Sequence, residues 1–219
     1  MQGSQYFFSQ ERPCHTLPYK QQLWMYLATI TSGYLWNIVD MFSCKLKRFA
    51  TIYDESIGNE YKKEYAHLQV PKANKVLHIG CGSYPLTTII LAQYDNINHV
   101  VGIDSDQKAV HQAQTIIAQK KLQNHITIEY GTGQEYPTHK FNIIIISSCS
   151  WPKLDIIHHV ITTAQKNTLI IIRELNHVVS PIMSCISTHP DIVIDKHITY
   201  CPFPFRGPFG WQTFYLKKT

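Results

Sequence analysis

The sequence predicts an α/β fold in which a mostly parallel sheet is covered by helices on both faces. From residue 75 onward, apolar runs rich in β-forming residues alternate with helical patterns. The first run, Lys75–Ile79, enters a Gly-x-Gly turn that opens a helix, and the second run ends at Asp104. Such a strand–turn–helix unit holds a nucleotide-like ligand, because the glycines admit it and the helix N–H groups face its polar end.

The elements of this sheet follow one another in a regular order. Continuous apolar strands between helices indicate a sheet that is buried on both faces. The strands Ile192–Asp195 and Trp211–Leu216 are predicted to close it as an antiparallel pair, joined by the loop 202–210. We predict the other strands at 76–79, 99–103, 125–130, 141–146 and 168–173, and helices at 86–94, 107–122, 153–165 and 178–187.

The first 70 residues are predicted to form a small helical domain, and residues 71–219 the domain that contains the sheet. After an irregular arm, apolar residues recur at helical spacing from Gln21 to Phe49. Polar residues within this stretch favour one or two buried amphipathic helices over a membrane span, with a break at Ser32-Gly33. A further helix is predicted over 52–68.

Composition excludes several classes of function. Hydrophobic residues make up 44% of the 219-residue chain, which leaves ample material for a core. The net charge of +5 is scattered, so we expect no nucleic-acid partner. The six cysteines form no CxxC pair and no signal peptide is visible, which favours reduced thiols and a cytoplasmic location. We expect neither a metal site nor membrane association, and we allow for a homodimer.

The turn favours S-adenosylmethionine over a nicotinamide dinucleotide as its ligand. It lacks the third glycine of dinucleotide sites, and Pro85 suits the first turn of a helix. Five strands followed by an antiparallel pair resemble the Rossmann-like class I methyltransferase fold, a mostly parallel seven-stranded sheet. This resemblance implies S-adenosylmethionine as co-substrate. The expected contacts are Gly80, Cys81, Gly82 and Ser83 with its amino-acid end and sulfonium, Asp104 and Ser105 with the ribose, Thr132 with the adenine, and Ser147 in the same crevice.

Several motifs depart from ordinary methyltransferases and resemble the nicotianamine synthase family, together with the related opine-metallophore enzymes. His78 stands where methyltransferases usually have an acidic residue, and the turn continues as Tyr84-Pro85-Leu86-Thr87. Pro152-Lys153 and the strand Leu169–Arg173 resemble that family at the corresponding places. The resemblance implies transfer of the aminobutyrate group of S-adenosylmethionine to an amino-acid amine. Methylthioadenosine would be released, and the product would be a metal-chelating metallophore.

This chemistry requires a base that takes a proton from the acceptor ammonium. The candidates are Glu60, Glu64 and the phenol of Tyr84, although the two glutamates also fit a solvated helix face. Arg173 is the candidate anchor for a substrate carboxylate, and its alternative is an ion pair with Glu174 or another acid. A small-molecule methyltransferase and a sensor that binds S-adenosylmethionine without turnover remain the alternative functions.

Overall fold

The computed structural model describes residues 19–66, 74–200 and 210–219. Most of the predicted N-terminal arm and all but the last residue of the loop 202–210 therefore lie outside the described residues. The elements are α1 (Tyr19–Lys45), α2 (Lys47–Ala66), β1 (Asn74–Ile79), α3 (Leu86–Leu91), β2 (Ile97–Asp104), α4 (Gln107–Gln119), β3 (Ile126–Tyr130), β4 (Ile143–Ile146), α5 (Lys153–Thr163), β5 (Leu169–Leu175), α6 (Val179–Ser187), β6 (Ile192–Tyr200) and β7 (Trp211–Lys218).

The seven strands form one sheet in the order β3-β2-β1-β4-β5-β7-β6. Strands β1 to β5 pair in parallel, and β7 runs antiparallel to both of its neighbours. This arrangement confirms the predicted Rossmann-like class I methyltransferase fold. The strand order reverses between β1 and β4, and a ligand crevice is expected at the carboxyl ends of strands at such a point.

The predicted strands and helices of the sheet region are confirmed, with small differences at their ends. All four isoleucines of β4 are fully buried, as expected for a central strand covered on both faces. The prediction for β6 was too short, because the strand continues to Tyr200. An irregularity between Ile194 and Lys196 interrupts the pairing with β7. The residues beyond it are mostly polar, so the hydrophobic pattern of the sequence did not reveal the rest of the strand.

Helix α1 corrects the prediction for the N-terminal segment. It is one continuous helix of 27 residues, and the break falls at Leu46 instead of Ser32-Gly33. A single glycine costs a helix only about 1 kcal/mol, and a methyl group at Gly33 would meet nothing within 4 Å, so no packing constraint forces a bend there. None of the described helices has the length and hydropathy needed to cross a bilayer.

The outer face of α1 is also more exposed than predicted. Met25 and Val39 are buried on the inner face, but the opposite side of the helix is equally apolar. Contiguous apolar faces of this kind usually mark an interaction surface. Its large exposed side chains are Leu23, Trp24, Leu27, Ile30, Tyr34, Ile38 and Met41.

The homodimer allowed for by the sequence can be tested at this outer face of α1. Replacing Leu27 and Tyr34 together by lysine should shift the protein from dimer to monomer, because each new charge would have to be buried in the interface. Light scattering coupled to size-exclusion chromatography measures the change. Thr51→Lys, on the exposed side of α2, is the matched control and should leave the mass unchanged. A wild-type protein that is already monomeric at tens of micromolar would contradict the expectation.

Helix α2 connects the N-terminal helices to the sheet. Its buried Gly58 lies against α3, where an added methyl group would come 3.4 Å from Ile90 and 3.7 Å from Leu86. These are ordinary van der Waals distances, so the two helices pack against each other here and a methyl group would still fit. As a result, residues of α1 and α2 lie next to the turn between β1 and α3.

Candidate functional site

A cavity of about 490 Å³ lies at the carboxyl ends of β1, β2 and β4, under the N-terminal helices. Its volume is within the range of small-molecule sites. The sheet side supplies mainly small and polar residues, and helices α1 and α2 supply three aromatic residues among their six. The lining includes Gly33, Trp36, Asn37, Asp40, Tyr53, Tyr61, His78, Gly80, Cys81, Gly82, Tyr84, Thr87, Asp104, Ser105, Asp106, Thr132, Gln134, Ser147, Cys149, Trp151 and Ile156.

The turn after β1 forms the floor of the cavity. Gly80 and Gly82 have φ angles of +77° and +69°, a region that residues with side chains rarely adopt. The backbone N–H groups of Gly80 and Cys81 donate to the carbonyl of Ile103, at 2.9 and 3.0 Å, which fixes the turn against β2. A side chain at Gly80 would also clash with the hydroxyl of Ser150. The conformation and packing of the turn therefore require both glycines.

Asp104, at the end of β2, is oriented by this turn. Its Oδ2 accepts a hydrogen bond from the N–H of Gly82 at 2.9 Å, and its Oδ1 accepts one from the N–H of Asp106 at 3.0 Å. Burial raises the pKa of Asp104, although these backbone N–H groups act in the opposite direction. The carboxylate is thus rigidly held at the cavity wall, next to Ser105, as a ribose-binding acid requires.

His78 occupies the position at which methyltransferases usually have an acid. Its Nδ1 lies 3.0 Å from the hydroxyl of Thr88, and its Nε2 lies 2.8 Å from the hydroxyl of Ser147. Burial, assisted by the charge of Arg173, lowers the pKa of His78 to about 3. The imidazole is therefore neutral, and it orients Ser147 at the cavity wall.

The predicted base and anchor residues Glu64 and Arg173 bind each other. Arg173 Nε and Nη2 donate to Glu64 Oε2 at 2.9 and 2.6 Å, and both residues are almost fully buried. Arg173 also donates to Thr87, and Thr213 donates to Glu64. Burial lowers the pKa of Arg173, but Glu64, Tyr65 and Tyr61 together outweigh this effect, so the pKa is raised. The structure thus shows the alternative arrangement for Arg173, with Glu64 rather than Glu174 as partner, and neither residue lines the cavity.

The other two predicted bases are placed differently. Glu60 forms a 2.7 Å ion pair with Lys63 and does not line the cavity. The ring of Tyr84 lines the cavity, but its hydroxyl lies 3.2 and 3.3 Å from the two carboxylate oxygens of Asp54. Burial and the charge of Asp54 raise the pKa of Tyr84. The catalytic roles of these residues stay predictions.

Asp40 is the acidic residue of the site that sequence reasoning missed. It lies on the inner face of α1 with 7% of its surface exposed, and its Oδ2 accepts a hydrogen bond from the N–H of Tyr84 at 3.2 Å. Burial raises the pKa of Asp40 to about 7, against the lowering effect of backbone N–H groups at Tyr84 and Ser83. One signal was available, since Asp40 is the sole charged residue between Gln21 and Cys44.

Aromatic side chains surround Asp40 on the helical side of the cavity. The ring centroids of Trp36 and Tyr53 lie 6.2 Å apart, and those of Tyr53 and Tyr84 lie 6.0 Å apart. Tyr61 also lines the cavity, and one face of its ring contacts the Arg173 guanidinium at 3.9 Å. We refer to Trp36, Tyr53, Tyr61 and Tyr84 as the aromatic wall. The described residues contain no cluster of three or more metal-ligating side chains.

Comparison with known proteins identifies the family. Residues 71–202 match the family model described as a methyltransferase domain. The chain belongs to the methyltransferase domain family. Residues of this domain include the glycine turn, Asp104, Thr132 and Ser147, which surround the sheet side of the cavity.

Solved structures and curated sequences resemble different parts of this methyltransferase-family chain. A mutant of MtNAS, a nicotianamine synthase, superimposes with a TM-score of 0.69 at 14% identity, over 92% of this chain and 78% of that one. A second MtNAS structure contains S-adenosylmethionine, at a TM-score of 0.68. The [4+2]-cyclase SpnF has a TM-score of 0.60 at 10% identity and covers 73% of this chain. Ribosomal protein L11 methyltransferase of Burkholderia ambifaria is 36% identical over 89 residues, 41% of this chain and 28% of that protein.

These findings establish the methyltransferase fold and a methyltransferase domain, whose co-substrate is S-adenosylmethionine. The residues present fit this co-substrate. A glycine turn that excludes side chains lies beside a rigidly held carboxylate, in a cavity of suitable volume. Because the matched stretch spans only about a quarter of the curated relative, the reaction itself requires separate arguments.

Proposed function

We propose that this enzyme is nicotianamine synthase-like and transfers the aminobutyrate group of S-adenosylmethionine to the amine of an amino-acid-like acceptor, making a metal-chelating product. One observation carries the proposal. The likeness to MtNAS covers 92% of the chain and includes the N-terminal helices, whereas the likeness to SpnF covers 73%. Those helices supply Asp40 and all of the aromatic wall except Tyr84, and these residues line the same cavity as the glycine turn.

The sheet side is assigned to the donor. In this proposal Gly80, Cys81, Gly82 and Ser83 surround its amino-acid end, and Asp104 and Ser105 bind its ribose. Thr132 borders the adenine and Ser147 faces the same crevice. When bound, S-adenosylmethionine supplies a sulfonium whose γ-carbon–sulfur bond breaks as the acceptor nitrogen bonds to that carbon, leaving neutral methylthioadenosine. Which carbon of the sulfonium reacts depends on which one faces the nucleophile.

The helical side is assigned to the acceptor. Asp40 faces the cavity next to the glycine turn, and a pKa of about 7, raised by burial, suits a group that must accept a proton near neutral pH. We propose that Asp40 takes the proton from the acceptor nitrogen, the role for which the sequence suggested Glu60, Glu64 or Tyr84. The aromatic wall excludes water from the reacting atoms.

The by-product of the reaction tests this proposal. We expect the protein, incubated with S-adenosylmethionine and a panel of amines, to release methylthioadenosine, measured by mass spectrometry. Adenosylhomocysteine would instead identify a small-molecule methyltransferase, the alternative that the L11 methyltransferase relatives favour. Tight binding without either product would identify a sensor. A variant with Asp104→Ala serves as the control for contaminating activities, because it should lose the donor.

A further inference from the structure

The charged residues that the structure describes in the lining of the cavity are all acidic. Among the described lining residues, Asp40, Asp104 and Asp106 are acidic, none is lysine or arginine, and His78 is neutral. Proteins usually bind a carboxylate with an arginine fork or a lysine. The described wall offers no such group to an acceptor carboxylate.

The two buried cations behind this wall already have partners. Arg173 is held by Glu64, and the Lys153 ammonium lies 3.6 Å from Glu174 Oε2. Lys153 also donates to the backbone carbonyl of Arg173 at 3.2 Å. Releasing either cation toward a ligand would leave a buried carboxylate without a counter-charge, which is strongly unfavourable.

The part of the cavity next to the aromatic wall has the features of a cation site. Aromatic ring faces attract ammonium groups, and the attraction is strongest where water is excluded. Trp36 and Tyr53 pack side by side in the cavity lining, whereas Tyr84 packs against Tyr53 with the Lys120 ammonium 5.6 Å from its ring centroid. The Asp40 carboxylate lies against the backbone of Tyr84. Asp104 is assigned to the donor ribose, and Asp106 caps α4 by accepting a hydrogen bond from the N–H of Lys108. Asp40 is therefore the carboxylate that remains for the acceptor.

Resting on the proposed function, we propose that the acceptor carries a net positive charge, as in a basic amino acid or an aliphatic diamine, and that Asp40 and the aromatic wall select it. An acceptor such as glutamate would bring a net negative charge into a cavity whose described charges are all negative. With a diamine, by contrast, the reacting ammonium would meet Asp40, which takes its proton, and the second ammonium would lie against the aromatic wall.

The first test measures turnover with acceptors that differ in net charge. We expect kcat/KM for ornithine or 1,4-diaminobutane to exceed that for glutamate at least tenfold. An equal or higher value for glutamate would overturn the inference. Failure of the proposed function would give a different result. Adenosylhomocysteine would then replace methylthioadenosine as the by-product, whatever the charge of the preferred acceptor.

Equilibrium binding provides a test that does not depend on turnover. Calorimetric titration should show binding of 1,4-diaminobutane and none of the carbon-matched dianion succinate. Asp40→Asn should weaken the binding of the diamine at least tenfold and retain the S-adenosylmethionine affinity and the melting temperature within a few degrees. Asp95→Asn is the matched control, because Asp95 is exposed just before β2, at the end of the strand opposite the cavity. Binding of succinate, or unchanged diamine binding by Asp40→Asn, would refute the inference.

Discussion

Arg173→Met is expected to lower the free energy of unfolding by ~3–5 kcal/mol, because it leaves Glu64 as a buried charge without a partner. Glu64 has no exposed surface, and its carboxylate accepts hydrogen bonds from both Arg173 and Thr213. For a chain of this size the loss corresponds to a decrease of ~6–20 °C in the melting temperature. Thermal unfolding followed by circular dichroism measures it.

The effect should depend on the unpaired charge rather than on the lost side chain. Glu64→Leu combined with Arg173→Met should recover much of the stability, because an apolar pair requires no counter-charge. Lys63→Met is the matched control, since it breaks the exposed ion pair with Glu60 and should cost no more than ~1 kcal/mol. If Arg173→Met melted like Lys63→Met, the Glu64–Arg173 pair would not have the structural role assigned to it.

Asp104→Ala is expected to weaken S-adenosylmethionine binding by ~10²-fold. Hydrogen bonds to a charged group contribute about 1.5–3 kcal/mol each, and a ribose offers two hydroxyls to this carboxylate. The substitution also removes the acceptor that holds the N–H of Gly82 at 2.9 Å. Calorimetric titration with S-adenosylmethionine at fixed pH measures the change.

Two further variants separate ribose binding from loss of the turn. Asp104→Asn keeps an oxygen for the N–H of Gly82, and its affinity should lie between those of the wild type and Asp104→Ala. Asp195→Ala, in β6 at the far edge of the sheet, is the control and should bind the donor normally. Wild-type affinity of the Asp104→Ala variant for S-adenosylmethionine would contradict the assignment of Asp104 to the donor site.

The sheet and its ligand turn were predictable because the information is local in sequence. One strand–turn–helix–strand unit contains the run Lys75–Ile79, the two glycines and Asp104. Its hydrophobic periodicity, the glycines of its turn and the acidic residue at its end each indicate the same structure. The isoleucines of β4 similarly identify a central strand by composition alone. These features needed no knowledge of distant contacts.

The helical side of the site was not predictable in the same way. Asp40 contacts the backbone of Tyr84, which is 44 positions away, and Glu64 contacts Arg173 across 109 positions. Periodicity assigns a residue to a face of a helix, but it does not say which part of the protein that face meets. Glu64 therefore looked like a candidate base, and Asp40 like an interruption in an apolar helix.

The cavity is divided between two parts of the chain, and this division has a consequence for how the enzyme could diversify. Residues before Ala66 line one side, and the methyltransferase domain lines the other. Substitutions on the inner faces of α1 and α2 could therefore change which nucleophile is accepted while the adenosine pocket is conserved. Libraries that vary Trp36, Asp40 and Tyr53 are therefore the first choice for changing the proposed acceptor amine.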